Sequence, residues 1–529
     1  MLARLHSHWP LAAALGVFWG VFAWVLAASL QLTQGHFVYT LDDPYIHMAI
    51  AKHLAGEGVW GVTRYEFSSA ASSLLWPLLV ALVYLVTGVV VWVPLVLNLL
   101  FGSALLAVAH RLLRRVGAGT WYAAFALALI TLLGPLPALV TTGMEHLLQG
   151  LLAIGFLFCC ARVLAAQKPA RLDTAALLAL APLVTAARYE DAFLVAPACL
   201  LLAVRRQGLL AACVAGLALL PVALYGRISF DQGWNWLPNS VLLKGLLSHP
   251  AATGLGQYLA VHLLQADLFW VFLGAGVVFA LGLRPRGFWH PGQLLLALFL
   301  GAALLHLLTQ YSTHPRYEAY LVVLGLLAVA AVLPELLAAR LQAGRRPAPV
   351  QLYAAALLAL FLLLPTRERL AVNTSMPRAS ANVYQQQYQM ARFLRTYYQG
   401  AAVAVNDIGA VSYYADLHLL DLWGLGSNEV AQSKLTGRYS RPHIDQFSRH
   451  RRVKIAILYD AWYRPALPTH WVRAGTWTIP ENVVCGDPTV SFYAVDPAEA
   501  PQLLRHLQQF GASLPTEVDQ QLGLEPVGQ

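Results

Sequence analysis

Long apolar runs, separated by short polar stretches, set the class of this chain. Candidate spans fall at about 10–32, 93–113, 120–140, 147–166, 174–188, 190–204, 208–226, 262–283, 291–310, 317–338 and 349–365. Most approach the ~20 residues a bilayer core needs, although 174–188 and 190–204 are short. The stretch 72–92 is apolar enough to cross as well. Counting it puts Arg111, Arg114 and Arg115 on the outer side, against the bias of basic residues toward the cytoplasm. Read as a surface or re-entrant helix, it leaves five clusters on the cytoplasmic side: 111–115, 162–171, 205–206, 284–286 and 340–346. The pattern predicts a polytopic α-helical membrane protein of about 11 spans, with 12 or 13 open. The first run is longer than a signal-peptide core and lacks a clear cleavage site, so it reads as a retained anchor.

From about Thr366 the pattern changes. Residues 384–397 read as a helix, and 403–407, 417–422 and 453–459 as short strands. Asn406-Asp-Ile-Gly-Ala between the first two strands reads as a turn into a helix, giving a β-α-β opening. The division is a transmembrane module over 1–365, with a first outer loop at 33–71, and an extracytoplasmic α/β domain over 366–529. Residues after Leu514 read as a loose tail. The α/β part lacks G-x-G-x-x-G, so no nucleotide site is expected.

Composition sharpens the class. Only 12% of residues are charged, against roughly 25% in soluble domains. The net charge of +9 comes from short clusters between apolar runs, which does not point to nucleic acid. Four of the five cysteines, Cys159, Cys160, Cys199 and Cys213, sit in apolar runs, and Cys485 stands alone. Neither a zinc site nor a disulfide framework is indicated. No metal-ligand spacing stands out, so no cofactor is expected, and a divalent cation is not indicated.

The same topology puts five polar motifs on the outer side: L-D-D-P-Y at 41–45, T-T-G-M-E-H at 141–146, A-R-Y-E-D at 187–191, L-P-N-S-V-L-L-K at 237–244 and T-H-P-R-Y-E at 313–318. Loops on a rigid scaffold carry function, and these five are expected to converge on one cavity at the membrane surface. In the first, Pro44 suits the first position of an amphipathic surface helix and Asp43 suits capping its amides. That leaves Asp42 freer for chemistry. An ionised carboxylate there can take a proton from a hydroxyl as its oxygen attacks a sugar carbon. A phosphate-linked sugar needs no strong leaving-group acid, so one base and a cationic clamp suffice, unlike a two-carboxylate glycosidase.

Arg188, Lys244, His314 and Arg316 are the clamp candidates, since arginine forks match phosphate oxygens and lysine acts as a point charge. Snorkelling at span ends is the alternative for each. Glu145, Glu190 and Asp191 either bind acceptor hydroxyls, orient a clamp arginine, hold a metal or pair with Arg188. Asn239 either donates to a phosphate or sugar or belongs to a turn after Pro238. His47 reads as exposed, and His53 as a satisfied interfacial residue. Trp60, Trp76, Trp234 and Trp236 read as an interfacial belt, one of which could stack on a sugar.

These motifs in this order resemble the GT-C class of glycosyltransferases. The likeness rests on D-D-P-Y-I, the following A-K-H-L-A-G-E-G helix and the Ser-rich approach to the next apolar run. G-M-E-H, A-R-Y-E-D, L-P-N-S-V-L-L-K, P-R-Y-E-A-Y and N-D-I-G-A-V-S-Y-Y-A-D-L-H-L-L-D-L-W-G-L (406–425) extend it over most of the chain. It is closest to the bacterial branch that includes the mycobacterial arabinofuranosyltransferases. The resemblance implies an inverting transferase acting outside the cytoplasmic membrane. Its donor would be a polyprenyl-phosphate sugar and its acceptor a hydroxyl of a glycan, lipid or protein. Asp42 would be the base, with Asp43 beside it. The chain departs from the family at Arg188-Tyr189-Glu190, where proline often follows the arginine, and at Ser240, where threonine is usual. A lipid-linked-sugar flippase is the second reading. It needs polar groups through the span centres, where only Asp267 stands out. A non-catalytic envelope-assembly protein is the third.

Overall fold

The computed structural model describes residues 2–247, 267–282, 290–309, 315–341 and 366–527; the span expected at 349–365 lies outside the described residues. Among them, His8–Leu32, Val93–Arg115, His146–Ala165, Gly208–Asp231, Pro291–Leu308 and Pro315–Pro334 are long and apolar enough to cross a membrane. Leu75–Thr87, the core of the ambiguous 72–92 stretch, is a 13-residue helix. At 1.5 Å per residue it reaches about 20 Å, short of the ~30 Å hydrocarbon core, and it packs beside Asp43–Glu57. The expected run at 120–140 is broken. Thr120–Leu133 stops at Gly134, and a separate short helix, Leu136–Thr141, follows Pro135.

His146–Ala165 is the hub of the bundle, against Val93–Arg115, Arg171–Ala187, Pro291–Thr309 and Pro315–Leu341. Its two ends differ in chemistry. At the C-terminal end, Arg162 pairs with Asp173 at 3.0 Å, and Arg205 donates to the Leu164 carbonyl at 2.9 Å. Glu145 precedes the other end, about 30 Å away by helical rise. The described basic clusters and the carboxylate-bearing motifs therefore occupy opposite ends of the bundle, the segregation that the loop charges predicted. Asp267, the first described residue of the helix Asp267–Gly282, pairs at 2.9 Å with Arg369, a fully buried residue that also bonds Glu318 and the Leu133 carbonyl.

Thr366–Val383 packs along Leu2–Leu32 and runs through a π-helical turn, Tyr384–Tyr388, into Gln389–Tyr397. A six-stranded mixed sheet follows, in the order β2-β1-β3-β5-β4-β6. Strands β1 (Ala402–Val405), β2 (His418–Asp421) and β3 (Ile455–Leu458) are parallel, at the three positions read from the sequence. β4 (Val472–Thr478), β5 (Thr489–Ala494) and β6 (Asp519–Pro526) form an antiparallel half. The segment expected to be a loose tail is thus strand β6, paired along β4. As an edge strand it is exposed along nearly its whole length, and Asp519, Gln521 and Glu525 keep that edge polar beside the exposed Leu522 and Leu524.

One apolar core is continuous from the helices into the sheet. Tyrosines carry it across the junction. Tyr45 packs on Tyr39, Tyr413 and Tyr414, its ring centroid within 6 Å of each, and its hydroxyl accepts the Tyr39 amide at 3.1 Å.

Candidate active site

The helix Asp43–Glu57 begins one residue earlier than the capping argument requires. Asp42 holds the N-cap position and makes no side-chain capping bond in that helix. Asp42 instead reaches the C-terminal domain. Its Oδ2 accepts the Gly409 amide at 2.6 Å and its Oδ1 the Ala410 amide at 2.8 Å. Gly409 opens the short helix Gly409–Tyr414, and a β-carbon there would overlap the Asp42 carbonyl and press on its carboxyl group. Lys52, on the same outer-loop helix, donates to the Tyr413 carbonyl at 2.9 Å. The short helix is therefore held at both ends, a carboxylate on its positive end and an ammonium on its negative end.

Asp43 turns the other way, to Arg316, with Oδ2 2.7 Å from Nη2. Arg316 lies over the Tyr317 ring at 4.8 Å, and Arg188 lies over the same ring at 5.4 Å. Arg188 is 5% exposed and forms ion pairs with Glu145 at 2.6 Å and Glu190 at 2.5 Å. Burial alone would raise the Glu145 carboxyl; Arg188, His47 and His146 outweigh it and bring it down to about 2. The Arg188 guanidinium loses by burial but gains more from Glu190 and Glu145, so it is held firmly charged. Ser72 links this group to the outer-loop helix, 3.3 Å from His47 Nε2 and 3.5 Å from Glu145 Oε1. His47 is one helical turn after Asp43 and 2% exposed, so it is a buried member of the cluster rather than an exposed residue.

Asp407 completes the carboxylate group from the C-terminal side. It follows β1 and accepts from Tyr459 Oη, Gln387 Nε2 and Asn406 Nδ2. Burial raises the Asp42 carboxyl, the Asp407 charge raises it further, and the two amide bonds only partly offset this. Burial raises Asp407 as well.

Asp42, Asp43, Glu145, Arg188, Glu190 and Arg316 thus converge at one end of the bundle. Asn239 does not join them. Its amide donates to the Gly424 carbonyl at 3.0 Å and its oxygen accepts from Asn235, which ties the 237–244 loop to the C-terminal domain. Lys244 lies on the helix Asn239–Leu247, and His314 lies outside the described residues. Trp76 is no belt residue: it is fully buried and donates to the Gly143 carbonyl at 3.1 Å. No group of three or more His, Cys, Asp or Glu suited to a metal ion occurs among the described residues. The sequence pattern shows N-D-I-G-A only as a turn into a helix and does not single out Gly409, Lys52 or Asp407, whose partners lie far away in the chain.

Two nitrogens of Arg316, Nε and Nη1, are buried with no hydrogen-bond partner among the described residues. Buried donors of this kind are costly unless something accepts from them. The cluster offers carboxylates able to take a proton next to cationic donors able to hold an anion.

Residues 381–493 match a family described as a domain of unknown function, DUF8728. No curated protein sequence matches the chain. Among solved structures, ArnT from Cupriavidus metallidurans bound to undecaprenyl phosphate is similar, with a TM-score of 0.51 at 14% identity over 90% of this chain and 97% of that one. The apo form of the same protein gives 0.51 at 14% identity over 92% and 98%. At this identity the likeness establishes the fold: an ArnT-like polytopic membrane bundle carrying a C-terminal mixed-sheet domain.

Proposed function

We propose that the chain is a glycosyltransferase that moves a sugar from a polyprenyl-phosphate donor to a hydroxyl acceptor, with inversion, on the outer face of the cytoplasmic membrane. The C-terminal domain lies on the same, extracytoplasmic side. The observation that carries this reading is the Arg316 guanidinium, buried beside Asp43 with two nitrogens unspent. The ArnT-like fold agrees, since one of the similar structures holds undecaprenyl phosphate.

In this reading Arg316 takes the donor phosphate, and Arg188 adds positive charge from across Tyr317. Lys244 and His314 remain candidates for the same clamp. Glu145 and Glu190 orient Arg188, with acceptor hydroxyls as their alternative partners. An apolar cavity of about 640 Å³ supports lateral entrance of the lipid. It is lined by Trp60, Leu75, Leu78, Leu224 and Ile228, and by Ala186, two residues before Arg188.

Asp42 is the base. Each of its oxygens accepts one amide, and a carboxylate oxygen has a further lone pair. As the acceptor oxygen bonds to the anomeric carbon, its proton passes to Asp42. The bond from that carbon to the phosphate oxygen breaks, and polyprenyl phosphate leaves as an anion. A base whose affinity for protons is raised is better matched to neutral pH than an ordinary aspartate.

The experiment is incubation of the purified chain with a panel of polyprenyl-phosphate sugars. Release of polyprenyl phosphate coupled to glycosylation of an added acceptor is expected. Donors that bind and never turn over with any acceptor class would contradict the reading.

A further inference from the structure

In sheets with parallel strands, ligands gather beyond the carboxyl ends of the strands, where successive connections leave in opposite directions. Here that point lies between β1 and β3, because β1 runs on to β2 on one side while β3 lies on the other. The residues just beyond those ends are Asn406 and Asp407 after β1 and Tyr459 after β3. They are already joined: Asn406 Oδ1 accepts the Tyr459 amide at 2.9 Å, and Tyr459 Oη donates to Asp407. This is the same Asp407 whose charge acts on Asp42, so the edge opens onto the proposed base.

Aromatic rings extend this edge outward. Tyr459 meets Trp462 edge-on at 5.0 Å between centroids, and Trp462 meets Trp423 at 5.0 Å. Trp462 is 42% exposed. Both indoles are held in place rather than draped. The Asp421 carboxylate accepts the Trp423 and Gly426 amides at 2.7 Å each, and Asn239 holds the Gly424 carbonyl between them. Lys434 Nζ lies 4.5 Å from the Trp423 ring centroid. Gly486 sits so close to Trp462 and Tyr459 that a β-carbon there would strike both rings. A large rigid aromatic left open to solvent beside polar groups, as Trp462 is with half-buried Trp423 next to it, marks a recognition surface.

We infer that Trp423 and Trp462 form a stacking platform for a neutral carbohydrate acceptor, which they lead toward Asp407 and Asp42. This rests on the transferase reading above and specifies its acceptor. A sugar ring presents an apolar C–H face to an indole and hydroxyls along its rim to carboxylate, amide and phenol groups, the combination found here. Asp42 and Asp407 offer a phosphorylated acceptor no positive charge at this edge. Lys434 donates to the Trp423 carbonyl and Arg473 pairs with Asp460 and Glu525, so these two cations near the indoles are already engaged; Arg451, Arg452 and Lys454 line a cavity with Gly400 and Ala402 at the opposite, amino-terminal edge.

The test uses the full chain in lipid nanodiscs with two probes. Undecaprenyl phosphate reads the donor site. An array of neutral trisaccharides of hexose, N-acetylhexosamine and pentose, with their phosphorylated forms, reads the platform. Wild type is expected to hold undecaprenyl phosphate and a subset of the neutral sugars. Trp462→Ala and Trp423→Ala should each weaken sugar binding roughly tenfold, Trp462→Phe should weaken it less, and undecaprenyl phosphate binding should not change. Wild type that holds undecaprenyl phosphate and no neutral sugar overturns the platform and leaves the transferase standing. So do unchanged sugar binding in both alanine variants, and quenching of Trp462 by brominated lipid, which would make it a membrane anchor. Failure to hold undecaprenyl phosphate overturns the transferase reading and the platform with it.

Discussion

Asp42 and Gly409 stand 367 positions apart in sequence and are joined by a 2.6 Å hydrogen bond from the Gly409 amide to the Asp42 carboxylate. The aspartate proposed as base is therefore positioned by the C-terminal domain, not by the outer loop alone. Gly409→Ala should force the two apart, because a β-carbon has no room against the Asp42 backbone. The expected result is a fall in kcat with the KM for the donor little changed, since the proposed phosphate-binding Arg316 pairs with Asp43 rather than Asp42. Lys52→Ala, which frees the far end of the same helix, should cost less. Steady-state kinetics on both variants, with donor and acceptor varied separately, checks this.

Asp42→Asn is nearly isosteric and removes the proton acceptor, but its single side-chain oxygen can accept only one of the Gly409 and Ala410 amides. General-base catalysis is worth roughly 10²–10⁴-fold, so kcat should fall by that order while membrane insertion holds and thermal stability drops by only about the 1–3 kcal/mol of one unsatisfied buried donor. Near-normal turnover would transfer the role elsewhere, to Asp407 or Asp43, whose charges both act on Asp42.

Arg316 and Arg188 share one tyrosine face, yet their loss should read out differently. Arg316 has unspent donors, so Arg316→Ala should weaken donor binding. At about 1.5–3 kcal/mol for a hydrogen bond to a charged group, that is roughly 10–100-fold in KM. Arg188 is buried between two carboxylates, so Arg188→Ala leaves Glu145 and Glu190 without their charge partner. Breaking a buried pair this way costs about 3–5 kcal/mol, and the expected result is a lower melting temperature before any kinetic effect. Donor titration and thermal unfolding of the two variants separate binding from folding.

Proton linkage gives opposite signs at two sites. Asp42 is raised by burial and by Asp407, and it must be ionised to act. The rate should therefore climb with pH above the usual aspartate range. Asp407→Asn removes a neighbouring charge and should move that climb to lower pH. Because the folded Asp42 holds its proton more tightly than the unfolded one, its contribution to stability is fullest below about pH 3.9 and declines as pH rises toward the folded value. Glu145, lowered to about 2, contributes stability above its unfolded value of about 4.3, and this is lost as pH falls toward 2. A pH–rate profile of wild type and Asp407→Asn, with acid melts of wild type, reads both.

The sequence made some of this plain for physical reasons. The long apolar helices, the arginine clusters at 162–171 and 205–206 and the buried runs of β1, β2 and β3 are local signals, and these lie where their patterns put them, whereas the 120–140 run is broken at Gly134 and Pro135. Glu145, Arg188 and Arg316 were legible because charges at span ends are few. The antiparallel half was not, because its edge strand, D-Q-Q-L-G-L-E-P, carries the polar residues of an unpaired flank and looks like a tail. His47 looked exposed because its partners, Ser72 and the Glu145 group, come from other segments. The Asp42 contact was invisible for the same reason. A capping rule sees only the next few residues, and Asp42 found its amides in another domain.

The central claim is that Arg316, with Arg188 behind Tyr317, grips a lipid phosphate beside Asp42 and Asp43. A cryo-electron microscopy map of the full chain in nanodiscs with undecaprenyl phosphate tests it most directly. The account predicts phosphate density within hydrogen-bond reach of Arg316, with the lipid chain leading into the cavity between Leu75 and Leu224. Phosphate density at the Arg162 and Arg205 end of the bundle would contradict it.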